Sequence, residues 1–284
     1  MHSLFKLSIF LLSVFYAPLA MAQEGITMCA PSKPTNTEQF AALASNPDFR
    51  AKHDLVAYTH TSAAGEDITF PTPDGQQGSA YYLPAKGNSN KYLFVIHEWW
   101  GLNDQIKREA EKLAKDLGQV NVMALDLYDG KVATSQQQAQ QYVQSVSTDR
   151  AKAIIQGAIQ KAGTGAEIAT IGWCFGGGWS LQATILAGEQ ATGCVMYYGM
   201  PVQEMSEIKK INTDVLGIFA EYDGHITPEV VEQFEQNMEE AGKEITVHMY
   251  EADHAFANPS GSSYDGESAK DAYDKTLAFL KEHL

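Results

Sequence analysis

The stretch IATIGWCFGGGWS, residues 168–180, joins a short β-branched run to a glycine-rich turn and then to an apolar segment that can be helical. Gly172 and Gly176 lie two residues before and two residues after Cys174. Small residues at these positions let a strand and a helix approach each other across a very sharp turn, at whose apex the backbone is strained. The pattern therefore predicts a strand, a tight turn that carries the cysteine, and a helix.

This pattern is typical of a nucleophile elbow, the turn described for G-x-S-x-G, here with cysteine in place of serine. The dipole of the following helix favours a thiolate at Cys174, and the backbone N–H of Phe175 would point at a developing oxyanion. The alternative is a glycine-rich turn around a buried structural cysteine, because short G-x-C-x-G matches arise by chance. The stretch alone leaves both interpretations open.

Strands and helices alternate along the rest of the chain. The turn at residues 73–75 predicts an antiparallel hairpin, and the apolar run at residues 92–97 predicts a strand buried on both faces. Helical segments with apolar residues three and four positions apart separate the later runs, and one of them is predicted to begin at Asn103 and another at Thr227-Pro228. Further strands are predicted at residues 120–127, 168–172, 194–198, 215–220 and 245–250. We therefore predict an α/β fold with a mostly parallel central sheet, helices on both faces and an antiparallel N-terminal hairpin.

Three reactive side chains follow successive predicted strands in the order Cys174, Asp223, His254. Nucleophile, acid and histidine is the chain order of the α/β-hydrolase triad. We expect Cys174 to attack an acyl carbon, His254 to move the proton, and Asp223 to hold the imidazole in the useful tautomer. The alternatives are an Asp223 that only caps a turn and a His254 that lies on the surface beside Asp253.

A second group of candidates, His97-Glu98-Trp99-Trp100, follows the first buried strand. The N–H of Trp99 occupies the position from which α/β-hydrolases obtain a second oxyanion donor. A carboxylate at Glu98 disfavours a neighbouring thiolate, unless it takes the thiol proton when substrate enters. The two tryptophans are either core residues or the walls of a pocket for an apolar or aromatic acyl group.

At this point the sequence resembles the dienelactone hydrolases, also called carboxymethylenebutenolidases, over about residues 66–284. The resemblance implies an α/β-hydrolase sandwich without cofactor or metal, and a reaction that opens a lactone. It also implies the triad Cys174, Asp223 and His254, with Glu98 gating the thiol. Pocket residues are expected at Trp100, Tyr198, Phe256 and Asn258. The matching motifs are VIHEWWGLN (95–103), DLYDGK (126–131), IGWCFGGG (171–178), YYG (197–199), the Asp223 turn and HAF (254–256).

One departure limits the choice of substrate. The chlorocatechol-pathway members of that family hold a substrate carboxylate with arginines, one of them four residues after the catalytic histidine. Asn258 stands at that position here, and the region before Asp149, where another arginine is expected, is rich in glutamine. Loss of guanidinium groups removes bidentate carboxylate recognition. We therefore expect the reaction class of the family but not dienelactone itself.

Composition and the N-terminus limit partners and location. A formal net charge of −15 argues against nucleic acid or an anionic membrane as a partner. Lys6, an apolar run and a small-residue site ending at Ala22 predict a cleaved signal peptide at residues 1–22, and hence a periplasmic or secreted protein, expected to be a monomer. Residues 23–65 form an N-terminal extension, with one short helix expected at residues 37–45, to which we assign no chemistry, and residues 66–284 form the main domain. Cys29 and Cys194 remain as a potential disulfide.

The leading hypothesis is an exported, cysteine-dependent hydrolase that cleaves ester or lactone bonds of a small apolar or aromatic substrate. A thioesterase or peptidase on the same scaffold is the alternative enzyme. A non-catalytic binding protein would instead keep His254 far from the thiol. A thiol redox protein would need Cys174 and Cys194 within bridging reach.

Overall fold

The computed structural model describes residues 34–53 and 64–284. Eight strands of these residues form one sheet, and their bounds are β1 Glu66–Pro71, β2 Gln77–Leu83, β3 Lys91–Ile96, β4 Asn121–Leu125, β5 Glu167–Trp173, β6 Ala191–Tyr197, β7 Val215–Ala220 and β8 Ile245–Tyr250. The strand order is β1-β2-β4-β3-β5-β6-β7-β8. β2 pairs antiparallel with β1 and β4, and all other neighbours are parallel. The predicted mostly parallel sheet with an antiparallel N-terminal hairpin is confirmed.

Nine α-helices of the described residues surround this sheet. α3 packs against α9, and α5 packs against α6, so that helices cover the sheet as predicted. β4 and β7 are buried at every position because both of their faces are covered. The helices are α1 Asn36–Ala44, α2 Pro47–Ala51, α3 Asp104–Leu117, α4 Gln136–Ser145, α5 Thr148–Ala162, α6 Phe175–Ala187, α7 Met205–Ile208, α8 Pro228–Glu240 and α9 Gly266–His283.

Local sequence signals account for most of the helix ends. The Asn103 side chain accepts a hydrogen bond from the N–H of Ile106 and begins α3, as predicted. α8 begins at Pro228 as predicted, although the Thr227 side chain makes no capping hydrogen bond. Gly118 ends α3 with a positive φ of 82°. Independently of these helix ends, the parallel pairing of β3 to β8 places their carboxyl ends at one edge of the sheet.

The N-terminal segment, residues 34–53, packs against the body of the protein. Thr35 and Glu38 form a capping box at the start of α1, close to the helix predicted at residues 37–45. Phe40 and Phe49 are buried in the same hydrophobic core as the sheet, and residues 34–284 form one compact unit. None of the helices among the described residues is both long and apolar enough to cross a bilayer. The predicted signal peptide and Cys29 lie outside the described residues.

Candidate active site

The turn between β5 and α6 has the geometry that its glycines predict. Cys174 lies at its apex with φ 58° and ψ −117°, a backbone conformation that residues other than glycine rarely adopt. A Cβ atom added at Gly172 would lie 2.0 Å from the carbonyl oxygen of Gly176, and one added at Gly176 would lie 2.3 Å from that of Ile96. Because backbone atoms make these contacts, neither position accepts a larger residue.

The structure brings together the three residues that sequence order singles out. The Nε2 atom of His254 lies 3.2 Å from Cys174 Sγ, and its Nδ1 atom lies 2.5 Å from Asp223 Oδ2. Asp223 Oδ1 accepts hydrogen bonds from the backbone N–H groups of His225 and Ile226, at 2.9 and 3.0 Å. The three side chains are buried. His254 therefore does not lie at the surface, and Asp223 both forms a turn and contacts the imidazole.

The environment of Asp223 keeps its carboxylate ionised. Burial alone would raise the pKa of Asp223, but the neighbouring His254 and the two backbone N–H groups outweigh burial and lower the pKa to about 2. An ionised carboxylate only accepts hydrogen bonds, so His254 Nδ1 carries the proton. The Nε2 lone pair of a neutral His254 then faces the thiol.

The thiol of Cys174 is neutral in this setting. Burial raises the pKa of Cys174 well above its ordinary range, and the nearby Glu98 raises it further. The backbone N–H groups of Phe175 and Trp99 interact with the thiol and act in the opposite direction. The sequence predicts these two N–H groups as oxyanion donors. Phe175 is the first residue of α6, and Trp99 lies in the loop that follows β3.

Glu98 is a buried carboxyl group whose pKa is close to neutrality. Burial raises the pKa of Glu98 to about 7, although His254 and two hydrogen bonds oppose the shift. Asn258 Nδ2 donates to Glu98 Oε2 at 2.5 Å, and the Tyr198 hydroxyl donates to Oε1 at 3.5 Å. Near neutral pH this group can therefore hold or release a proton without a large change in free energy.

The residues predicted to line a substrate pocket have different surroundings. A cavity of about 170 Å³ beside Glu98 is lined by Asn258 but not by the other three, Trp100, Tyr198 and Phe256. The Tyr198 ring instead packs 5.0 Å from His254 and 5.7 Å from Phe256. Trp100 is buried against Trp99 at 5.0 Å. Since these rings pack in the core around the triad, the core alternative for the tryptophans fits their burial.

Sequence reasoning missed the contribution of α2. His53, the second residue after α2, places its Nε2 atom 3.9 Å from Cys174 Sγ. The Phe49 ring lies 4.1 Å from the His53 ring and 5.3 Å from that of His254. Burial, together with the electrostatic repulsion that His254 exerts when it is protonated, lowers the pKa of His53 to about 3. The N-terminal extension therefore contributes to the site, contrary to the sequence analysis, which assigns it no chemistry.

The structure also describes a group of potential metal ligands around Cys174 and the surroundings of Cys194. The ligand atoms of His53, Cys174 and His254 all lie within 4.8 Å of one another, a set that could hold a metal ion although the sequence predicts no metal. Cys194 is buried and free, and its Sγ atom lies 3.6 Å from the Ser180 hydroxyl. It is therefore a packed thiol within a buried polar cluster.

The sequence matches the model of one protein family. Residues 79–284 match the model of the dienelactone hydrolase family. Protein usf of Aquifex pyrophilus is 27% identical over 205 residues, which cover 68% of this chain and 88% of that protein. The carboxymethylenebutenolidase of a Pseudomonas species is 32% identical over 115 residues, which cover 40% of this chain and 47% of that enzyme.

A solved structure extends the likeness to the fold. The dienelactone hydrolase-like promiscuous phosphotriesterase from metagenomic libraries superposes with a TM-score of 0.64 at 21% identity, over 78% of this chain and 99% of that one. At this level of identity the likeness concerns the fold alone. It confirms the predicted α/β-hydrolase architecture.

Proposed function

The chain belongs to the dienelactone hydrolase family, and from this premise we propose that it is a carboxylic ester hydrolase that opens ester or lactone bonds through the Cys174 thiol. The observation that carries the proposal is the contact of 3.2 Å between His254 Nε2 and Cys174 Sγ. A nucleophile and a base within hydrogen-bonding reach, with the base oriented by a third group, is the arrangement that acyl transfer requires.

In the first half of the reaction the thiol proton reaches His254 Nε2, first by way of Glu98 as argued below, and the sulfur attacks the carbonyl carbon. The carbonyl π bond becomes an oxyanion, which the N–H groups of Phe175 and Trp99 stabilise. When the C–O bond breaks, His254 gives a proton to the leaving alkoxide, and a thioester with Cys174 remains. In a lactone the alcohol stays attached to the acyl group as its own hydroxyl.

In the second half of the reaction a water molecule attacks the thioester. His254 accepts a proton from the water, a second oxyanion forms on the same two N–H groups, and the C–S bond breaks. The product is a carboxylic acid, and the thiol regains a proton. Asp223 stays ionised throughout and stabilises the imidazolium that forms twice in each cycle.

Glu98 provides a way to activate a thiol that is neutral at rest. Burial and the charge of Glu98 both raise the pKa of Cys174, so a resting thiolate is disfavoured. If substrate displaces Asn258 or Tyr198 from the carboxylate, Glu98 loses hydrogen bonds that stabilise its ionised form and becomes a better proton acceptor. We propose that substrate entry thereby lets Glu98 take the thiol proton and pass it on to His254, so that the thiolate appears only when it is needed.

The substrate is proposed to be small and apolar or aromatic. Aromatic rings of Phe49, Trp99 and Tyr198 surround the triad. Asn258, at the position where some relatives of this family carry an arginine, offers an amide in place of a guanidinium, and it is already bonded to Glu98. A substrate carboxylate would therefore gain no bidentate charged partner at this position. Because Cys174 is fully buried, substrate binding has to displace side chains that now cover the sulfur.

A panel of short aryl esters, lactones, thioesters and peptides tests this proposal. We expect reduced wild-type protein to hydrolyse aryl esters or lactones, and Cys174→Ala to be inactive. Cys194→Ala is the matched control, because it removes the other buried free thiol among the described residues and should retain turnover. Turnover of thioesters or peptides alone would select the alternative enzyme class. Full turnover by Cys174→Ala would reject the nucleophile.

Export remains a proposal that rests on the sequence of residues 1–22. Identification of the mature N-terminus after expression in a bacterium with intact secretion tests it. We expect the mature chain to begin at Gln23 and to appear outside the cytoplasm. A chain that keeps Met1 and remains in the cytoplasm would contradict export without affecting the proposed reaction.

A further inference from the structure

Two histidine nitrogens converge on one sulfur at the end of β5. His254 Nε2 lies 3.2 Å from Cys174 Sγ, and His53 Nε2 lies 3.9 Å from the same atom. All three side chains are buried, with His53 only 5% exposed. The reaction proposed above uses His254 alone, so it gives the second imidazole no task.

Hydrogen bonds on the far side of each ring fix its tautomer. The carbonyl oxygen of Phe49 can only accept, so His53 Nδ1, at 2.6 Å, donates to it. His254 Nδ1 donates in the same way to the carboxylate of Asp223. Each neutral ring therefore presents the lone pair of its Nε2 atom to Cys174.

A single thiol proton cannot satisfy both lone pairs. The S–H group can donate to His254 or to His53, and the other nitrogen then lacks a partner in a buried site, which costs on the order of 1–3 kcal/mol. A cation bound by both nitrogens and the sulfur would satisfy all three atoms at once. Metal-bound histidines typically donate their other N–H to a carboxylate or a backbone carbonyl, which is the arrangement found here on both rings.

We propose that His53, Cys174 and His254 form a zinc(II) site whose occupation blocks the nucleophile. Their ligand atoms lie within 4.8 Å of one another. A tetrahedral zinc ion with ordinary Zn–N and Zn–S bond lengths separates a nitrogen ligand from a sulfur ligand by about 3.6 Å. The two observed sulfur–nitrogen distances, 3.2 and 3.9 Å, lie on either side of this value. Thiolate and imidazole ligands suit zinc, whereas Mg²⁺ and Ca²⁺ prefer oxygen.

The charges around the sulfur also favour a divalent cation. Zinc binding breaks the S–H bond, forms an S–Zn bond and releases one proton per ion to solvent. The negative charges of Glu98 and Asp223, which disfavour an isolated thiolate at Cys174, lie near the added positive charge and stabilise it. With the sulfur and the His254 lone pair both bound to zinc, neither attack nor proton transfer can occur. Only this inhibitory consequence rests on the proposed function, because metal binding itself requires no turnover.

The first experiment uses the wild-type protein in its reduced, metal-free and untagged form. We expect calorimetric titration to give one zinc ion per chain, and an equal concentration of Mg²⁺ to give no binding at this site. Cobalt(II), a spectroscopic substitute for zinc, should produce a thiolate-to-cobalt charge-transfer band in the near ultraviolet and the visible bands of a tetrahedral ion. Alkylation of Cys174 should remove the charge-transfer band. Absence of the charge-transfer band from the wild-type protein with unalkylated Cys174 would overturn the proposal.

The second experiment replaces His53, the one proposed ligand that lies in the N-terminal segment. We expect His53→Gln to lose more than about 100-fold in zinc affinity, because loss of a partner that merely supports a ligand already costs 10–100-fold. His225→Gln is the matched control, since its ring also packs against Phe49, at 5.4 Å, but is not one of the three ligands. Wild-type zinc affinity in His53→Gln would overturn the proposal.

Turnover with and without zinc, measured for each variant against its own metal-free rate, separates this inference from the proposed function. If the protein binds zinc through Cys174 but hydrolyses no ester, the proposed function fails and the zinc site stands. If ester hydrolysis is normal but zinc inhibits His53→Gln and wild type equally, the zinc site fails and the proposed function stands.

Discussion

The amide of Asn258 donates a hydrogen bond of 2.5 Å to the buried carboxyl group of Glu98. The Asn258 side-chain oxygen is itself held by the backbone N–H and the hydroxyl of Ser260, at 2.8 and 2.7 Å. Asn258, four residues after His254, thus fixes the carboxyl group of Glu98, which follows β3. This relationship joins two loops at the carboxyl edge of the sheet, and it stabilises the charged form of Glu98 against the effect of burial.

The first prediction concerns the stability of the Glu98→Gln variant as a function of pH. The pKa of Glu98 is raised to about 7 in the folded protein, so the folded state binds this proton more tightly than the unfolded chain does. The stability contributed by the protonated form is therefore complete below the ordinary glutamate pKa and is lost as pH rises through about 7. Relative to wild type, Glu98→Gln should gain about 3 kcal/mol in unfolding free energy between pH 4.5 and pH 7.5.

Urea unfolding at several pH values measures this gain. Glu221→Gln, a substitution at an exposed glutamate, is the control and should follow the wild-type pH dependence. The test lies in the slope with pH, because any effect of the substitution that does not depend on protonation shifts the whole profile without changing its slope. Parallel wild-type and Glu98→Gln profiles would contradict the raised pKa.

The second prediction concerns the acid of the triad. Asp223→Asn should lower kcat by about ten-thousand-fold on the ester that wild type turns over fastest, because an amide favours the wrong tautomer of His254 and cannot stabilise an imidazolium. Asp253→Asn is the matched control, since Asp253 is adjacent to His254 in sequence but pairs with Lys52. Steady-state kinetics of both variants measure the effect. A comparable loss of kcat in both would argue against a specific role for Asp223.

The third prediction concerns the elbow. A methyl group at Gly176 would lie 2.3 Å from the carbonyl oxygen of Ile96 and 2.5 Å from that of His97, so Gly176→Ala forces two backbone segments apart. We expect a loss of more than about 3 kcal/mol in unfolding free energy, or no folded protein. Gly165→Ala is the control, because its Cβ would meet nothing within 4 Å. A melting temperature for Gly176→Ala equal to that of Gly165→Ala would contradict the proposed close approach.

The elbow and the proximity of Cys174, Asp223 and His254 could be predicted because their signals are local. Gly172 and Gly176 are required by contacts within one strand, turn and helix, and each triad residue follows a strand whose apolar pattern is visible in the sequence. The position of His53 could not be predicted, because it depends on how Phe40 and Phe49 pack against residues distant in sequence, such as Phe175 and Trp99. Local patterns predicted only one short helix of this segment, at residues 37–45, and did not predict α2.

The pocket residues were harder to predict for a related reason. A ring that follows a strand can turn toward a cavity or into the core, and its sequence position is the same in both cases. Tyr198 packs against both Phe256 and His254, whereas Asn258 turns toward Glu98 and the cavity. The choice depends on which neighbours fill the available volume, and these neighbours come from other elements.

The last prediction tests whether α2 controls access to the nucleophile. Phe49 packs on His53 and His254, and Cys174 beneath them is fully buried. Truncation of a buried phenylalanine costs about 3–5 kcal/mol of unfolding free energy. In Phe49→Ala this loss weakens the packing that holds α2 in place over Cys174. Phe49→Ala should therefore raise the rate at which iodoacetamide alkylates Cys174 by tenfold or more, since local opening controls the reactivity of a buried group, on the order of one decade for each 1.4 kcal/mol. Mass spectrometry of the peptides measures the rate at each thiol separately.

Cys194 serves as the internal control for this experiment. It is buried in a second hydrophobic cluster together with Phe234 of α8, so Phe234→Ala removes a comparable side chain from a cluster that does not contain Cys174. If α2 opens locally, Phe49→Ala accelerates alkylation of Cys174 more than that of Cys194, and Phe234→Ala does not. If the alkylation rates of both thiols rise together in both variants, global unfolding exposes the thiols and α2 does not control access to Cys174. The comparison is decisive because both variants lose a buried phenyl ring, while only one of those rings covers the triad.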